Sequence, residues 1–339
     1  MTSTTQAPRT VLDAIGDTPL VAVEGVWAKL EYLNPSGSIK ARLARYVIER
    51  AEREGLLAPG DTVVEASSGN TGNALAMVAA VKGYRMVVVM PSGMSNERAA
   101  ISRAFGAEVV EVGRFHVSEA LEVARELGAR PGYFCPEQFA NEWNVIENRE
   151  WLGAEILEQL PPGVAPDALV TGVGTGGSLI GLGQAFRARN PACLLVAVEP
   201  DESCTIACGD VDEHPLEGIA DGFVPELYRR HQRDVDQVVA VTGPDALDGM
   251  RRLARDHGIF VGPSSGAHLV AAQRVRAERP GLTHVVTLLC DEGEKYLSEH
   301  FDDGEAVTSL LDSPYTGGVD GITATLRPRE HPFEQQRRR

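Results

Sequence analysis

Four short stretches carry residue types that bind anions or form covalent bonds, and each runs into a helical pattern. The first, "NPSGSIKARLARYVIERAEREG" (residues 34–55), is a turn punctuated by Pro35 and Gly37, with Ser38 as the expected N-cap and Leu43, Val47 and Ala51 at helical spacing. Lys40 then falls in the first helical turn, where the positive end of the helix dipole disfavours a cation by roughly 0.3–1 kcal/mol. Two readings are open at this point. Either the side chain snorkels into water, or the lysine serves as a neutral amine able to form an imine. The second stretch, "VTGVGTGGSLIG" (170–181), follows a strand-like run and can surround a phosphate with the backbone amides of Gly174, Gly176 and Gly177 and the hydroxyls of Thr175 and Ser178. Gly172, Gly174 and Gly177 also satisfy G-x-G-x-x-G, and Glu199 ends the next strand where a nicotinamide site would place an acid, so a dehydrogenase competes. The third, "EASSGNTGNALA" (65–76), is a second nest of amides and hydroxyls suited to a carboxylate. In the fourth, "FVGPSSGAHLVAA" (260–272), Ser264 stands before a helix, where it either caps the helix or faces a ligand.

The elements that must position these residues are legible in the apolar pattern. Runs at 61–67, 85–90, 107–112, 167–173, 194–199, 236–241 and 284–289 read as buried strands. Helical stretches at 71–82, 95–105, 117–128, 178–188, 244–257 and 266–278 separate them. Strands apolar on both faces and alternating with helices predict an α/β chain of two open, twisted, mainly parallel sheets wrapped by helices. Leu152, Ile156 and Leu160, followed by "PPG" at 161–163, mark a joint. The expected organisation is an N-terminal segment over 1–41 that carries the lysine and packs on the larger domain, a smaller domain over 42–148, the larger one over 149–300, and a tail over 301–339.

The balance of 48 acidic against 32 basic residues in 339 gives a net charge of -16, which opposes contact with nucleic acid or anionic membrane and makes small-molecule chemistry the default. No apolar run reaches the ~20 residues needed to span a bilayer, and "MTSTTQAPRT" lacks the apolar core of a signal peptide, so the expected location is cytoplasmic. Five cysteines in a chain of this size predict no disulfide framework, and Cys204 and Cys208 lack the further ligands of a metal site; no metal is expected.

Taken together, the motifs resemble the cysteine synthase and cystathionine β-synthase family. "KLEYLNPSGSIKAR" is similar to its Schiff-base segment, "SSGNTG" to its substrate-carboxylate loop, "GVGTGGS" to its phosphate loop and "GPSSGA" to its pyridine-nitrogen segment, with "EQFAN", "EGIADGFVPE" and "CDEGEKYLS" as further landmarks. The resemblance runs over residues 11–300 and implies a homodimeric fold type II enzyme, similar to the tryptophan synthase β subunit, with pyridoxal 5'-phosphate as cofactor. Lys40 would hold the cofactor and shuttle the α-proton, Asn70 would bond its 3'-oxygen, and Gly174, Thr175, Gly176, Gly177 and Ser178 would take its phosphate. Ser264 would face the ring nitrogen, and Ser67, Ser68, Gly69, Thr71 and Gln138 the substrate carboxylate. A neutral serine at the ring nitrogen weakens the electron sink, which favours loss of a β-leaving group and addition of a nucleophile through an α-aminoacrylate. The implied reaction is β-replacement on an activated L-serine, O-acetyl-L-serine first, giving cysteine from sulfide or a related β-substituted alanine. A serine-using cystathionine synthase or dehydratase, a nicotinamide oxidoreductase and a non-catalytic amino-acid-binding protein are the alternatives.

Three departures stand out. Ala220 and Asp221 occupy positions near the mouth of the site where many members carry small residues, and an acid there repels an anionic leaving group or attracts a basic nucleophile; Asp221 is counted with the substrate-binding residues. Glu217 stands where phosphoserine-using members tend to place an arginine, which argues against O-phosphoserine. The passage from "TPLVAVEG" straight to "VWAKLE" is short for the family.

Overall fold

The structure is a computed structural model that describes residues 10–93, 96–113 and 117–301. In chain order the elements are β1 (Leu20–Val23), β2 (Val26–Leu30), α1 (Lys40–Glu54), β3 (Thr62–Ala66), α2 (Asn70–Lys82), β4 (Arg85–Pro91), α3 (Asn96–Ala104), β5 (Glu108–Val112), α4 (Val117–Gly128), β6 (Tyr133–Phe134), α5 (Trp143–Glu147) and α6 (Gly153–Gln159). They continue with β7 (Ala168–Gly172), α7 (Gly177–Arg187), β8 (Leu194–Pro200), α8 (Glu226–His231), β9 (Gln237–Val241), α9 (Gly243–His257), α10 (Pro263–Glu278) and β10 (Val285–Leu289). Residues Met1–Tyr296 form one compact unit and Leu297–Arg339 a second, of which Leu297–Phe301 make a single wide helical turn. The expected tail over 301–339 lies, beyond its first residue, outside the described residues.

Two sheets organise the first unit. One has six strands in the order β1-β2-β10-β7-β8-β9, parallel except for β1, and the other has four parallel strands in the order β5-β4-β3-β6. The seven expected strands are all present. Val63, Val64, Val196, Val198, Val285 and Leu288 are fully buried, as strands covered on both faces by helices require. The β1–β2 hairpin and the two-residue β6 complete the sheets, and the apolar pattern had not marked them. The hairpin turns on Glu24 and Gly25, both at positive φ (49° and 86°), so that Leu20 pairs with Lys29 and β2 is delivered beside β10.

The helices match the expected positions with small shifts that have local causes. Proline at the first turn lets α10 begin at Pro263 rather than 266, with Gly262 as its N-cap. In α2, Thr71 through Ala79 are all buried, so this Ala-rich helix is a core element rather than a surface one. The expected cap of α1 is corrected: Ile39 is the N-cap and no side chain caps the helix. Ser38 is instead drawn into a bridge with Asp291, and only its carbonyl reaches the helix, accepting from Ala41 N at 3.2 Å. Leu152, Ile156 and Leu160 are buried as their spacing predicts, and the chain leaves the helix at Leu160, just before Pro161.

Candidate active site

Lys40 opens α1, Asn70 opens α2, the 174–178 loop opens α7 and Ser264 lies in the first turn of α10, so four helix starts converge on one cavity. Lys40, Asn70, Gly174, Thr175, Gly176, Ser178 and Ser264 line it, together with Ser67, Ser68, Gly69, Thr71, Gln138 and Asp221. Every expected site residue except Gly177 therefore borders the same space, and Gly177 is the first residue of α7 beside it.

The phosphate loop depends on two glycines. Gly176 has φ +88° at the N-cap of α7, a conformation that favours glycine. A methyl on Gly174 would lie 2.5 Å from the Gly218 carbonyl oxygen, so the two loops approach because position 174 has no side chain. The first amides of α7 have no partner within the helix and present the positive dipole end. Thr175 is held from behind by Asn144, whose Nδ2 donates to Thr175 Oγ1 at 2.9 Å and to Gln138 O at 3.0 Å. One buried amide thus ties the phosphate loop to the carboxylate loop.

On the side of the 67–71 nest, Ser67 Oγ accepts from Gly69 N and Gly72 N, both at 3.0 Å, which satisfies an amide in the first turn of α2 and leaves its O–H free to donate. Thr71 Oγ1 donates to Gln138 Oε1 at 2.6 Å, and Gln138 Nε2 donates to Ala66 O at 2.9 Å. Beneath them Glu65 accepts from Ala66 N and Gln138 N, and burial pushes its carboxyl up to about 8.

Asn70 is fixed from both ends, donating to Asp291 Oδ2 at 2.7 Å and accepting from Lys295 Nζ at 3.0 Å. Lys295 is buried and also donates to Ser36 O and Gly37 O, each at 3.0 Å, so it clamps the turn that carries Lys40. Tyr296 OH donates to Asp291 Oδ2 at 2.5 Å. His268, behind the phosphate loop, accepts from Gly172 N through Nε2 at 2.7 Å and donates through Nδ1 to Leu288 O at 2.9 Å. Burial lowers it to about 4, so it is a neutral brace. Burial likewise raises the Cys290 thiol to about 12, which leaves it a protonated wall residue.

Among the described residues lining the cavity, Asp221 is the one carboxylate. Burial pushes it up from the ordinary range, against the pull of His214, Lys40, Ser68 and Arg98. Arg98, from α3, pairs with Glu217 and stacks its guanidinium 5.3 Å from the Tyr296 ring centre.

A sequence profile described as "Pyridoxal-phosphate dependent enzyme" matches residues 11–291. The chain belongs to this family. It is 41% identical over 311 residues to a cysteine synthase of Staphylococcus aureus, covering 86% of this chain and 97% of the relative. It is also 41% identical over 302 residues to the O-ureido-L-serine synthase of Streptomyces lavendulae, covering 87% and 92%. The crystal structure of an O-acetylserine-dependent cystathionine β-synthase from Helicobacter pylori superposes with a TM-score of 0.81, at 33% identity over 87% of this chain and 98% of that one. The fold is that of a fold type II pyridoxal phosphate enzyme, and the expected cofactor is pyridoxal 5'-phosphate.

The residues fit that group. The glycine cradle at 174–177 has the shape and dipole for a phosphate, an amine enters the cavity from Lys40, and the hydroxyl of Ser264 is buried in the same lining. The competing dinucleotide site fails on Glu199, whose carboxylate accepts from Ile206 N at 2.7 Å and Ala207 N at 3.1 Å and so anchors its own loop. Among the described residues no helix is long and apolar enough to cross a membrane. Sequence reasoning did not single out Asn144, His268, Asp291, Lys295 or Arg98. Their roles arise from partners far along the chain, and only the match of "CDEGEKYLS" pointed near two of them.

Proposed function

We propose that this enzyme catalyses β-replacement on an activated L-serine, O-acetyl-L-serine first, yielding L-cysteine with sulfide or a related β-substituted alanine with another nucleophile. The observation that carries the reading is the convergence of Lys40, the 67–71 nest and the 174–178 cradle on one cavity. The names of the relatives, a cysteine synthase and an O-ureido-L-serine synthase, support the same reaction class.

The cofactor, when bound, supplies an electron reservoir for the substrate's α-carbon. Lys40 would hold it covalently and carry the substrate's α-proton. Asn70 donates to the ring oxygen, because its Oδ1 is already taken by Lys295. Gly174, Thr175, Gly176, Gly177 and Ser178 take the phosphate, and Ser264 faces the ring nitrogen without protonating it. Ser67, Ser68 and the amide of Thr71 orient the donor's carboxylate, with Gly69 lining the nest and its own N–H given to Ser67 Oγ, and Gln138 joins them once Thr71 turns its proton to the substrate. Asp221 faces the second substrate.

The division into an N-terminal segment over 1–41, a smaller domain over 42–148 and a larger one over 149–300 belongs to this proposal, as do a homodimer and a cytoplasmic location. The test combines two measurements. Activated serines crossed with sulfide, homocysteine and amines are read by mass spectrometry, and O-acetyl-L-serine with sulfide is expected to give cysteine. Lys40→Ala is expected to lose at least about 10³-fold in turnover, together with the visible band that borohydride bleaches. Turnover near wild type in that variant overturns the reading.

A further inference from the structure

A second cavity of about 240 Å³ opens beside the first and shares Ser68, Arg98, Gly218, Ile219 and Asp221 with it. Its remaining walls are Gly93, Asp212, Glu213, His214, Glu217 and Ala220. Asp221 therefore stands on the partition between the space that holds Lys40 and a space large enough for a second small molecule.

The backbone that presents Asp221 is held in an unfavourable shape. Ala220 has φ 55°, a left-handed conformation that non-glycine residues rarely adopt and that persists only where its surroundings enforce it. They do so on both sides. Ala220 N donates to Val173 O at 3.0 Å, next to the phosphate loop, and Ala220 O accepts from His214 Nε2 at 3.0 Å. His214 Nδ1 accepts from Leu216 N at 3.2 Å, which leaves Nε2 as the N–H that donates to Ala220. Both ring nitrogens are committed, so His214 is a positioning residue and Asp221 is the group being positioned.

The charges around Asp221 select what can use it. Lys40 lies on the inner side and Arg98 at the partition, with Arg98 engaged by Glu217. Asp212, Glu213 and Glu217 face the outer cavity with His214. The carboxylates along this route repel a hydrosulfide anion and leave a neutral molecule unopposed.

Resting on the β-replacement reading above, we propose that Asp221 is a catalytic base for the second substrate, and that this substrate is a small neutral nucleophile bearing a dissociable S–H, N–H or O–H, seated in the cavity of residues 212–221. The nucleophile's X–H bond breaks and its proton passes to the Asp221 carboxylate. The new bond forms between X and the β-carbon of the unsaturated three-carbon acid left when the leaving group departs. The electron pair of that acid's carbon–carbon double bond moves to the α-carbon, which takes back its proton from Lys40. Asp221 then releases its proton to solvent through the outer cavity. Its upward shift on burial makes it a better proton acceptor than an exposed aspartate.

The experiment uses the cofactor-loaded enzyme with O-acetyl-L-serine and two acceptors, 2-mercaptoethanol as the neutral thiol and sulfide as the anion. The donor-induced change in cofactor absorbance is recorded first, without acceptor. Asp221→Asn is expected to lower kcat/KM for 2-mercaptoethanol about 10²- to 10³-fold and sulfide less than about tenfold, and to remove the acid limb of the 2-mercaptoethanol pH profile. Equal losses on the two acceptors with that limb intact, while the donor-induced change persists, overturn this inference alone. A wild-type enzyme with no donor-induced change overturns the β-replacement reading and this inference with it.

Discussion

Lys295 Nζ donates to Asn70 Oδ1 at 3.0 Å, and because an ammonium group can only donate, this contact fixes which end of the Asn70 amide is oxygen. With one Nδ2 hydrogen given to Asp291, a single N–H remains for the cavity. Lys295→Met should leave Ser36 O and Asn70 Oδ1 without this donor, while Gly37 O keeps Glu292 N, and cost about 3 kcal/mol of stability. It should also change the ratio of the cofactor's visible absorption bands, since Asn70 is then free to rotate. Denaturant unfolding and absorbance spectra check the two effects separately.

Gly174→Ala should weaken the cofactor site while sparing the fold. The added methyl meets the Gly218 carbonyl oxygen at 2.5 Å, and relieving the clash moves either the phosphate loop or the 217–221 turn. A penalty of about 1–3 kcal/mol corresponds to roughly a 5- to 150-fold rise in the Kd for pyridoxal phosphate. Equilibrium dialysis measures it, and an unchanged Kd would count against the cradle.

Glu147 is fully buried, with Oε1 lacking a hydrogen-bond partner among the described residues, and burial pushes its carboxyl up to about 8. The folded chain therefore keeps a proton that the unfolded chain gives up near pH 4.5. This contribution to stability is complete below that pH and is lost as pH rises toward about 8. Glu147→Gln is neutral at every pH. It should match the wild type at pH 5 and exceed it at pH 8, by roughly 1–4 kcal/mol in urea unfolding. Parallel stability curves for the two proteins would refute the assignment.

Glu155 has the opposite sign. Against the upward push of burial, hydrogen bonds from Arg42 at 2.8 Å and Lys29 at 2.5 Å hold it at about 2. Its stabilisation is present above pH 4.5 and disappears as pH falls toward 2. Glu155→Ala leaves the fully buried Lys29 without its carboxylate partner and the fully buried Arg42 with Glu31 as its sole acidic partner among the described residues, and should destabilise the protein by about 3–5 kcal/mol. Thermal unfolding at pH 7 tests this, and a melting temperature within 2 °C or so of wild type would contradict it.

What could be read from the chain alone follows the range of each interaction. Strands such as Val285–Leu289 are apolar at nearly every position because both faces are covered, and that signature is local. The 67–71 and 174–178 loops are equally local, since what they offer is backbone amides at helix starts. The β1–β2 hairpin escaped notice because β1 is only partly covered and the buried Lys29 interrupts the apolar run of β2. Ser38 was misjudged as a cap because Asp291, far along the chain, competes for its backbone. Asn144 and His268 are invisible for the same reason: each acts through partners at Gln138 and Thr175, or Gly172 and Leu288, that only the folded chain assembles.

The strand order β1-β2-β10-β7 inserts the last strand between the second and the seventh. A nascent chain leaving the ribosome has Lys40 early and β10 late, so the hairpin at residues 20–30 waits, unpaired on one side, for a neighbour synthesised some 255 residues afterwards. Lys295 follows that neighbour and clamps the turn before Lys40. The pocket's last wall, Tyr296, and the clamp at Lys295 are thus among its latest parts to be synthesised, long after the glycine loops they complete.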